Sequence, residues 1–358
     1  MKRKIIIFLL VVAVLFGIYC VGIYIINTVF HAYHGKITLK VVDSDGHFVT
    51  NANIAVYFAN QLFRNREYYK GVTDEKGCFS AKGMSQGDVV YKITKKGYYK
   101  TENSYWFTKE GTTERDKLHP WMTKYKPWNP TLEVVLKEIR NPIPMYYKRI
   151  SKTVPLLNTK IGFDLLRGDW VEPYGIGEAN DLIFIVSGYY NSLFDRESYM
   201  NVSFAHGGGI KQLNLEDYSG HKSVYIAPLD GYSTNYFFRK IIVQEASQRE
   251  NSVPREDIYF IFEIKKLHNK SEKMFYGLIR SDFTCDYRNK KDIGVYFDYY
   301  FNPTPNDRNL EWNGSNLFDN TQWELHPSQE RGLRYCCDWT IGRFGTHHIG
   351  VNCYRTRT

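Results

Sequence analysis

Cysteine is scarce in this 358-residue sequence, and the six present form no framework. Cys20 lies in an apolar segment. Cys78, Cys285, Cys336, Cys337 and Cys353 are an odd, scattered set, which excludes a disulfide-stapled scaffold. A bridge among Cys285, Cys336, Cys337 and Cys353 stays open. Catalytic signatures are equally thin. There is no His-Glu-x-x-His and no Gly-x-Ser-x-Gly. Long apolar runs are lacking too: after the first thirty or so residues, none is long enough to span a membrane. A net excess of either charge is missing from the larger part of the chain, because residues 138–358 hold 27 basic and 27 acidic side chains. No nucleic-acid-binding motif is present, so nucleic acid is not an expected partner.

The opening segment carries Lys2, Arg3 and Lys4, then 26 uncharged residues from Ile5 to Phe30. At ~1.5 Å per residue such a helix crosses a ~30 Å hydrocarbon core with some tilt. The basic cluster keeps the amino terminus in the cytoplasm and the body outside, periplasmic or extracellular. A cleaved signal peptide fits less well. Its apolar core is usually ~7–15 residues and ends in small residues, whereas Val29-Phe30-His31-Ala32-Tyr33 has no small-x-small pattern. Tyr19 before Cys20 argues against a lipoprotein site. The expectation is a cytoplasmic stub at 1–4 and a transmembrane signal anchor at 5–30.

The net charge of +9 sits near this anchor. Residues 35–137 carry 17 basic and 11 acidic side chains. A solvated surface rich in Lys explains this excess. A contact with anionic lipid or cell-wall polymer is the alternative.

Aromatic residues make up 16% of the chain, a composition suited to half-buried sheet. Ile37, Leu39 and Val41 alternate with polar residues, and Asp43-Ser44-Asp45-Gly46 makes a turn. Ile54, Val56 and Phe58 alternate again. Val72 to Phe79 reads as a tight hairpin whose Asp-Glu-Lys-Gly tip needs Gly77 at positive φ. Val89 to Ile93 and Leu132 to Leu136 read as further strands. The expected fold class is mainly β: a transmembrane helix, a small β-sandwich over 35–137, a second antiparallel β-rich domain over 138–334, and an irregular tail over 335–358.

The order of DSDGHFVTNANIAVYF, TDEKGCF and VYKITKKGYYKT resembles the carboxypeptidase regulatory-like domain. The resemblance covers about residues 35–137, with extra sequence at Gln61–Lys70 and Thr101–Pro130. It implies a transthyretin-like sandwich acting as a structural or binding module, and no peptidase activity. Segments GFDLLRGDWVEPYGIGEANDLIF, YIAPLDGY and YYFNPTPNDRNLEW resemble uncharacterised bacterial envelope proteins that carry the same module, over roughly 138–325. That likeness implies an envelope setting and no activity.

In the second domain, Asp181–Val186, Ser223–Ile226, Tyr236–Val243, Ile258–Ile264, Phe275–Ile279 and Ile293–Phe301 read as strands. Glu138 to Lys148 reads as linker. Short helices are candidates at Phe163–Leu166 and Asn191–Arg196.

Candidate chemistry is weighed against simpler readings. Asp43, Asp45 and Asp74 begin like a calcium loop but lack the distal bidentate Glu, so they read as turn-forming acids. His206-Gly207-Gly208-Gly209 resembles an oxyanion loop but has no nucleophile elbow, so it reads as a Gly-rich turn. Gly175-Ile176-Gly177 lacks the third glycine and the helix of a dinucleotide loop. His347 and His348 lie near Cys336, Cys337 and Cys353, yet adjacent cysteines are poorly spaced for zinc. Asp282 with Asp298, or Asp307 with Glu311, would serve glycoside hydrolysis only if roughly 5–9 Å apart across a cleft. Trp106, Trp121, Trp128, Trp170, Trp312 and Trp323 cover core or stack on sugar rings. Asn201, Asn269 and Asn313 start glycosylation-type triplets, which are idle in a bacterial protein. No catalytic residue, metal ligand or cofactor is assigned. The expected partners are the membrane, through one helix, and cell-wall glycan or an envelope protein. A glycan hydrolase and an envelope-assembly subunit are the alternative functions.

Overall fold

The computed structural model describes residues 12, 14–22, 33–58, 68–85, 87–107, 123–215, 219–251, 255, 257–268 and 271–318. The tail with His347, His348, Cys336, Cys337 and Cys353 lies outside them, as do Trp121, Trp323 and most of the 5–30 segment. Residues 14–22 are helical. Among the described residues no helix is long and apolar enough to cross a membrane.

Seven strands build the first unit: β1 (Tyr33–Asp43), β2 (Asn53–Phe58), β3 (Tyr68–Val72), β4 (Cys78–Ser85), β5 (Asp88–Thr94), β6 (Thr101–Trp106) and β7 (Thr131–Leu136). They form a three-stranded sheet, β4-β1-β7, and a four-stranded sheet, β3-β2-β5-β6. Alternation fixes which residues meet between the sheets. Ile37, Leu39 and Val41 face inward and are fully buried, as are Val56 and Ile93. A one-residue slip of β1 would turn all three of its apolar side chains to solvent, so the pattern specifies the register. The strand β7 runs parallel to β1, whereas β4 runs antiparallel to it.

One sequence expectation is corrected here. Val72 to Phe79 is not a hairpin: β3 pairs with β2 and β4 pairs with β1, so the segment crosses from one sheet to the other. The buried Thr73 holds this crossing. Its Oγ1 donates to the Val49 carbonyl at 2.7 Å and accepts the Ala52 N–H at 2.9 Å. Asp74 Oδ1 accepts the Lys76 and Cys78 N–H groups. Gly77 has φ +70°, as expected, and a Cβ there would meet the Val41 carbonyl at 2.5 Å.

Eleven strands follow: β8 (Ile143–Thr153), β9 (Ile161–Asp164), β10 (Asp169–Trp170), β11 (Leu182–Ser192), β12 (Asp195–Phe204), β13 (Gly209–Asn214), β14 (Asn235–Ile242), β15 (Ile258–His268), β16 (Ser271–Tyr287), β17 (Ile293–Phe301) and β18 (Trp312–Asn316). A five-stranded sheet, β10-β9-β11-β12-β14, faces a six-stranded one, β13-β15-β16-β17-β8-β18. Between them Phe163, Phe184, Phe260, Phe283 and Phe297 form a packed aromatic core, with Phe163 and Phe184 edge-on at 6.2 Å. Pairing is antiparallel except that β18 runs parallel to β8.

Several readings change. Ile143–Lys148 is strand rather than linker, because Tyr146 to Thr153 pairs with β17. Phe163–Leu166 is strand and turn. Asn191–Arg196 is the end of β11, a turn and the start of β12. Ser223–Ile226 is no strand: its one β pairing among the described residues is an isolated bridge, Ile226 to Asn309. Its aromatic residue is drawn instead into a stack, with His221 and Tyr225 ring centroids 4.7 Å apart.

The two sandwiches are joined by more than the chain. Tyr99 Oη donates to Glu311 Oε1 at 2.9 Å. The same carboxylate accepts the Arg140 N–H at 2.9 Å and the Asn141 N–H at 2.6 Å. Tyr99 stacks on His221, the Gly220 N–H donates to the Lys100 carbonyl, and Lys137 Nζ reaches the Ser223 carbonyl. Glu311 is 1% exposed, so its carboxylate is shielded from bulk water.

Candidate functional site

The register of β8 separates the ends of the second sandwich. Ile143 lies beside Glu311 and the junction, while Thr153 pairs with Gly294. Ten steps of strand at ~3.3 Å put these ends about 30 Å apart. The β11–β12 hairpin turns at the far end: Ser198 Oγ donates to the Cys285 carbonyl, and the Tyr190 and Tyr287 rings lie 5.1 Å apart.

That hairpin tip is chemically unusual. Ser192 pairs with Asp195, leaving Leu193 and Phe194 as the turn. Two-residue hairpin turns favour Gly, Asn or Asp, which adopt the required backbone easily. Here both side chains are large, apolar and over 60% exposed, and Tyr189 beside them is 55% exposed. The turn is held by polar groups instead. Asn191 Nδ2 donates to Asp195 Oδ2 at 2.8 Å, the Phe194 N–H donates to Ser192 Oγ, and Arg196 donates to the Leu193 carbonyl. An open cleft of about 670 Å³ lies beside the tip, lined by Asn191, Phe194, Asp195, Val243, Gln244 and Arg249, with Ser192. Arg249 Nε donates to the Val243 carbonyl at 2.8 Å, which folds the segment after β14 into the cleft wall. Asp195 is the one carboxylate of that lining, so the cleft does not contain the acid pair of a glycosidase. A ring, two amides, a carboxylate and a guanidinium in an open cleft suit polar contact with a partner surface.

Beneath the tip, Asp286 is gripped by Arg196 at 3.2 Å and Lys240 at 2.9 Å. Burial opposes its ionisation, but these two cations outweigh it and hold the carboxyl below the usual range. Next to it, burial pushes the Cys285 thiol up to about 12, so it is no nucleophile at neutral pH.

The other candidates are dispersed. Asp298 is bound bidentately by Arg149 at 2.9–3.1 Å, and the side chain of Asp282 is outside the described residues. Asp307 accepts from Asn302 Nδ2 and the Asn309 N–H, while Glu311 serves the junction. Asp43 Oδ1 accepts the Asp45 and His47 N–H groups, as a turn-forming acid does. Asp43, Asp45 and His47 bring ligand atoms within 4.8 Å of one another on an exposed loop; Asp74 is not among them. In the His206 loop, the Gly208 N–H donates to the Ala205 carbonyl and is not offered to a substrate. A Cβ on Gly208 would lie 2.2 Å from the Glu263 carbonyl, so close strand approach explains the glycine. Gly177 donates to the Trp170 carbonyl in a loop. Trp170 is core, Trp312 is half-buried, and Trp106 and Trp128 are exposed at 68% and 37%.

An ion pair with a buried acid was not anticipated from sequence. Lys266 Nζ lies 2.7 Å from Asp181 Oδ2, which also accepts the Leu165 N–H at 2.9 Å. Burial raises the pKa of Asp181, and Lys266 opposes that rise. Neighbouring Asp164 is also buried, which opposes ionisation, yet it accepts four backbone N–H groups, from Glu178, Ala179, Arg167 and Leu166, and its pKa is lowered. Both acids therefore organise the loop between β9 and β11.

No family model matches the chain, and no curated protein matches its sequence. Solved structures give faint likenesses. Catechol 1,2-dioxygenase of Acinetobacter radioresistens is 16% identical with a TM-score of 0.23, covering 31% of this chain and 53% of the dioxygenase. The chain thus spans about half the length of the dioxygenases it matches. A mutant shaft pilin of Lactobacillus rhamnosus GG is 11% identical with a TM-score of 0.20, covering 72% of this chain and 92% of the pilin. A streptococcal ancillary pilin is 11% identical with a TM-score of 0.20, covering 68% and 58%. Likeness at this level carries no activity across.

Proposed function

We propose that this chain is a non-catalytic envelope protein, tethered to a membrane by residues 5–30, whose β body makes contacts through the far tip of its second sandwich. The first sandwich, over 35–137, acts as the regulatory-like spacer module that its motifs suggest, with the domain boundary near 137/138. The observation that carries the reading is the exposed Leu193-Phe194 turn beside the cleft at the end of the body remote from the junction. Exposed apolar side chains rimmed by polar ones mark contact surfaces. The partner proposed is cell-wall glycan, for which a ring beside amides and a guanidinium offers stacking and hydrogen bonds. The test is co-sedimentation of the detergent-solubilised full chain with isolated wall sacculi across a salt series. Binding that survives high salt and is lost in the Leu193→Ser/Phe194→Ser double variant supports the reading. Binding that ignores those substitutions, or none at any salt, overturns it.

A second reading is an assembly subunit that pairs by strand addition. The strand β14 is the edge of its sheet and carries Phe237 at 63% exposure. The segment after it covers part of that edge, through the Ile241–Glu250 bridge. Concentration-dependent oligomers abolished by Phe237→Lys would favour this reading.

A further inference from the structure

The outer face of sheet β4-β1-β7 carries a cluster of lysines. Lys36 on β1 stands directly opposite Lys82 on β4. Like charges in register across strands repel. Lys124 flanks the same face, since residue 124 bridges to His34 at the start of β1. None of these three lysines has a carboxylate partner among the described residues. Glu133 is the one acid on the outward positions of the three strands, and Lys40 takes it at 2.9 Å. Trp128 lies on this face with two ammonium groups over its ring, Lys124 at 4.9 Å and Lys82 at 5.9 Å. It remains 37% exposed.

Position turns this charge into a partner. Lys36, Lys82, Lys124 and Trp128 cluster at the end where β1 begins, whereas the paired Lys40 lies further along. Only ten residues separate Gly22, the last described helical residue, from Tyr33. A chain of that length spans at most ~35 Å. If residues 5–30 lie in a bilayer, the basic face is within reach of its headgroups. Lysines attract anionic headgroups, and tryptophan is favoured at the membrane–water interface, where one side of the ring is wet.

We propose that the face bearing Lys36, Lys82, Lys124 and Trp128 docks on the anionic lipid surface of the membrane that holds the amino-terminal segment, fixing the orientation of the body. This inference rests on the anchor reading of that segment.

The test is lysine acetylation, read residue by residue by mass spectrometry, on the full chain in nanodiscs. Discs of phosphatidylcholine alone are compared with discs of phosphatidylcholine and phosphatidylglycerol. The expected result is several-fold slower labelling of Lys36, Lys82 and Lys124 in the anionic discs, restored by high salt. Lys92 on β5, in the other sheet, should label equally in both. Each headgroup contact is worth about fivefold in the docked population. The Lys82→Gln/Lys124→Gln variant should therefore return Lys36 close to its rate in neutral discs. Equal labelling of the three lysines in both discs overturns the proposal. So does equal protection in neutral discs by soluble polyphosphate, which would assign the face to free polyanions. Failure of the chain to enter discs at all would remove the anchor reading and this inference together, and is distinguished by flotation in high salt.

Discussion

Replacing Glu311 by glutamine should loosen the junction between the sandwiches without unfolding either. The buried carboxylate accepts three hydrogen bonds: Tyr99 Oη and the Arg140 N–H on Oε1, and the Asn141 N–H on Oε2. Glutamine has the same shape but only one acceptor atom. If its oxygen stays with Tyr99 and Arg140, its NH₂ faces the Asn141 N–H at the former 2.6 Å contact. Flipped, the NH₂ faces the Arg140 N–H. Either way one buried N–H loses its acceptor, at about 1–3 kcal/mol, and the remaining bonds lose their charge-assisted strength. The total is about 3 kcal/mol, or roughly 100-fold in a local opening equilibrium. Amide hydrogen exchange reads this directly. The Arg140 and Asn141 amides should exchange about 100-fold faster in the variant, by the same local-opening reasoning. Core amides of β17, such as Phe297, should stay unchanged. Unchanged exchange at Arg140 and Asn141 would refute the reasoning. So would uniform acceleration through β17, because that would make Glu311 a determinant of global stability instead of a local clasp.

Three further outcomes follow from the same structure. Thr73→Val should cost about 2 kcal/mol, since the Ala52 N–H and Val49 carbonyl both lose their buried partner; a urea midpoint equal to wild type would contradict this. Lys266→Met should cost about 3–5 kcal/mol by leaving the Asp181 carboxylate buried alone, and Lys266→Met/Asp181→Leu should recover only part of it, because the buried Leu165 N–H still loses its acceptor, a pattern that a double-mutant cycle checks. Acid should destabilise the fold. Asp164 and Asp286 have depressed pKa values when folded, so their stabilisation is complete above the unfolded value and is lost as pH falls through the folded one. Asp181 is raised and acts in the opposite sense, because protonation relieves the cost of burying its charge. The urea midpoint should accordingly fall below about pH 4, and more gently in Asp164→Asn; a midpoint that rises there would show that Asp181 dominates.

The local code of the fold was readable where period-two alternation and turn chemistry coincide. Ile37, Leu39 and Val41 declared the inner face of β1, and Gly77 declared its positive φ. Sheet membership was not readable. The Thr73–Gly77 segment has the composition of a hairpin tip, yet what makes it a crossing is the tertiary bond of Thr73 to Val49 and Ala52, more than twenty residues away. Strand β8 was hidden by the Pro142 and Pro144 that precede its pairing with β17. Asn191 to Arg196 suggested a short helix, but Leu193 and Phe194 stand where turn residues would. The same oddity, apolar side chains where a turn is required, was the available signal for the candidate site. The junction role of Glu311 and the Asp181–Lys266 pair were invisible, because the partners lie up to 212 residues away in sequence.

The proposed envelope role requires the β body to lie outside the cytoplasm. Protease added to intact spheroplasts that produce the full chain should digest residues 33–318 and leave a short membrane-held fragment. A chain that stays whole until the membrane is permeabilised would contradict it.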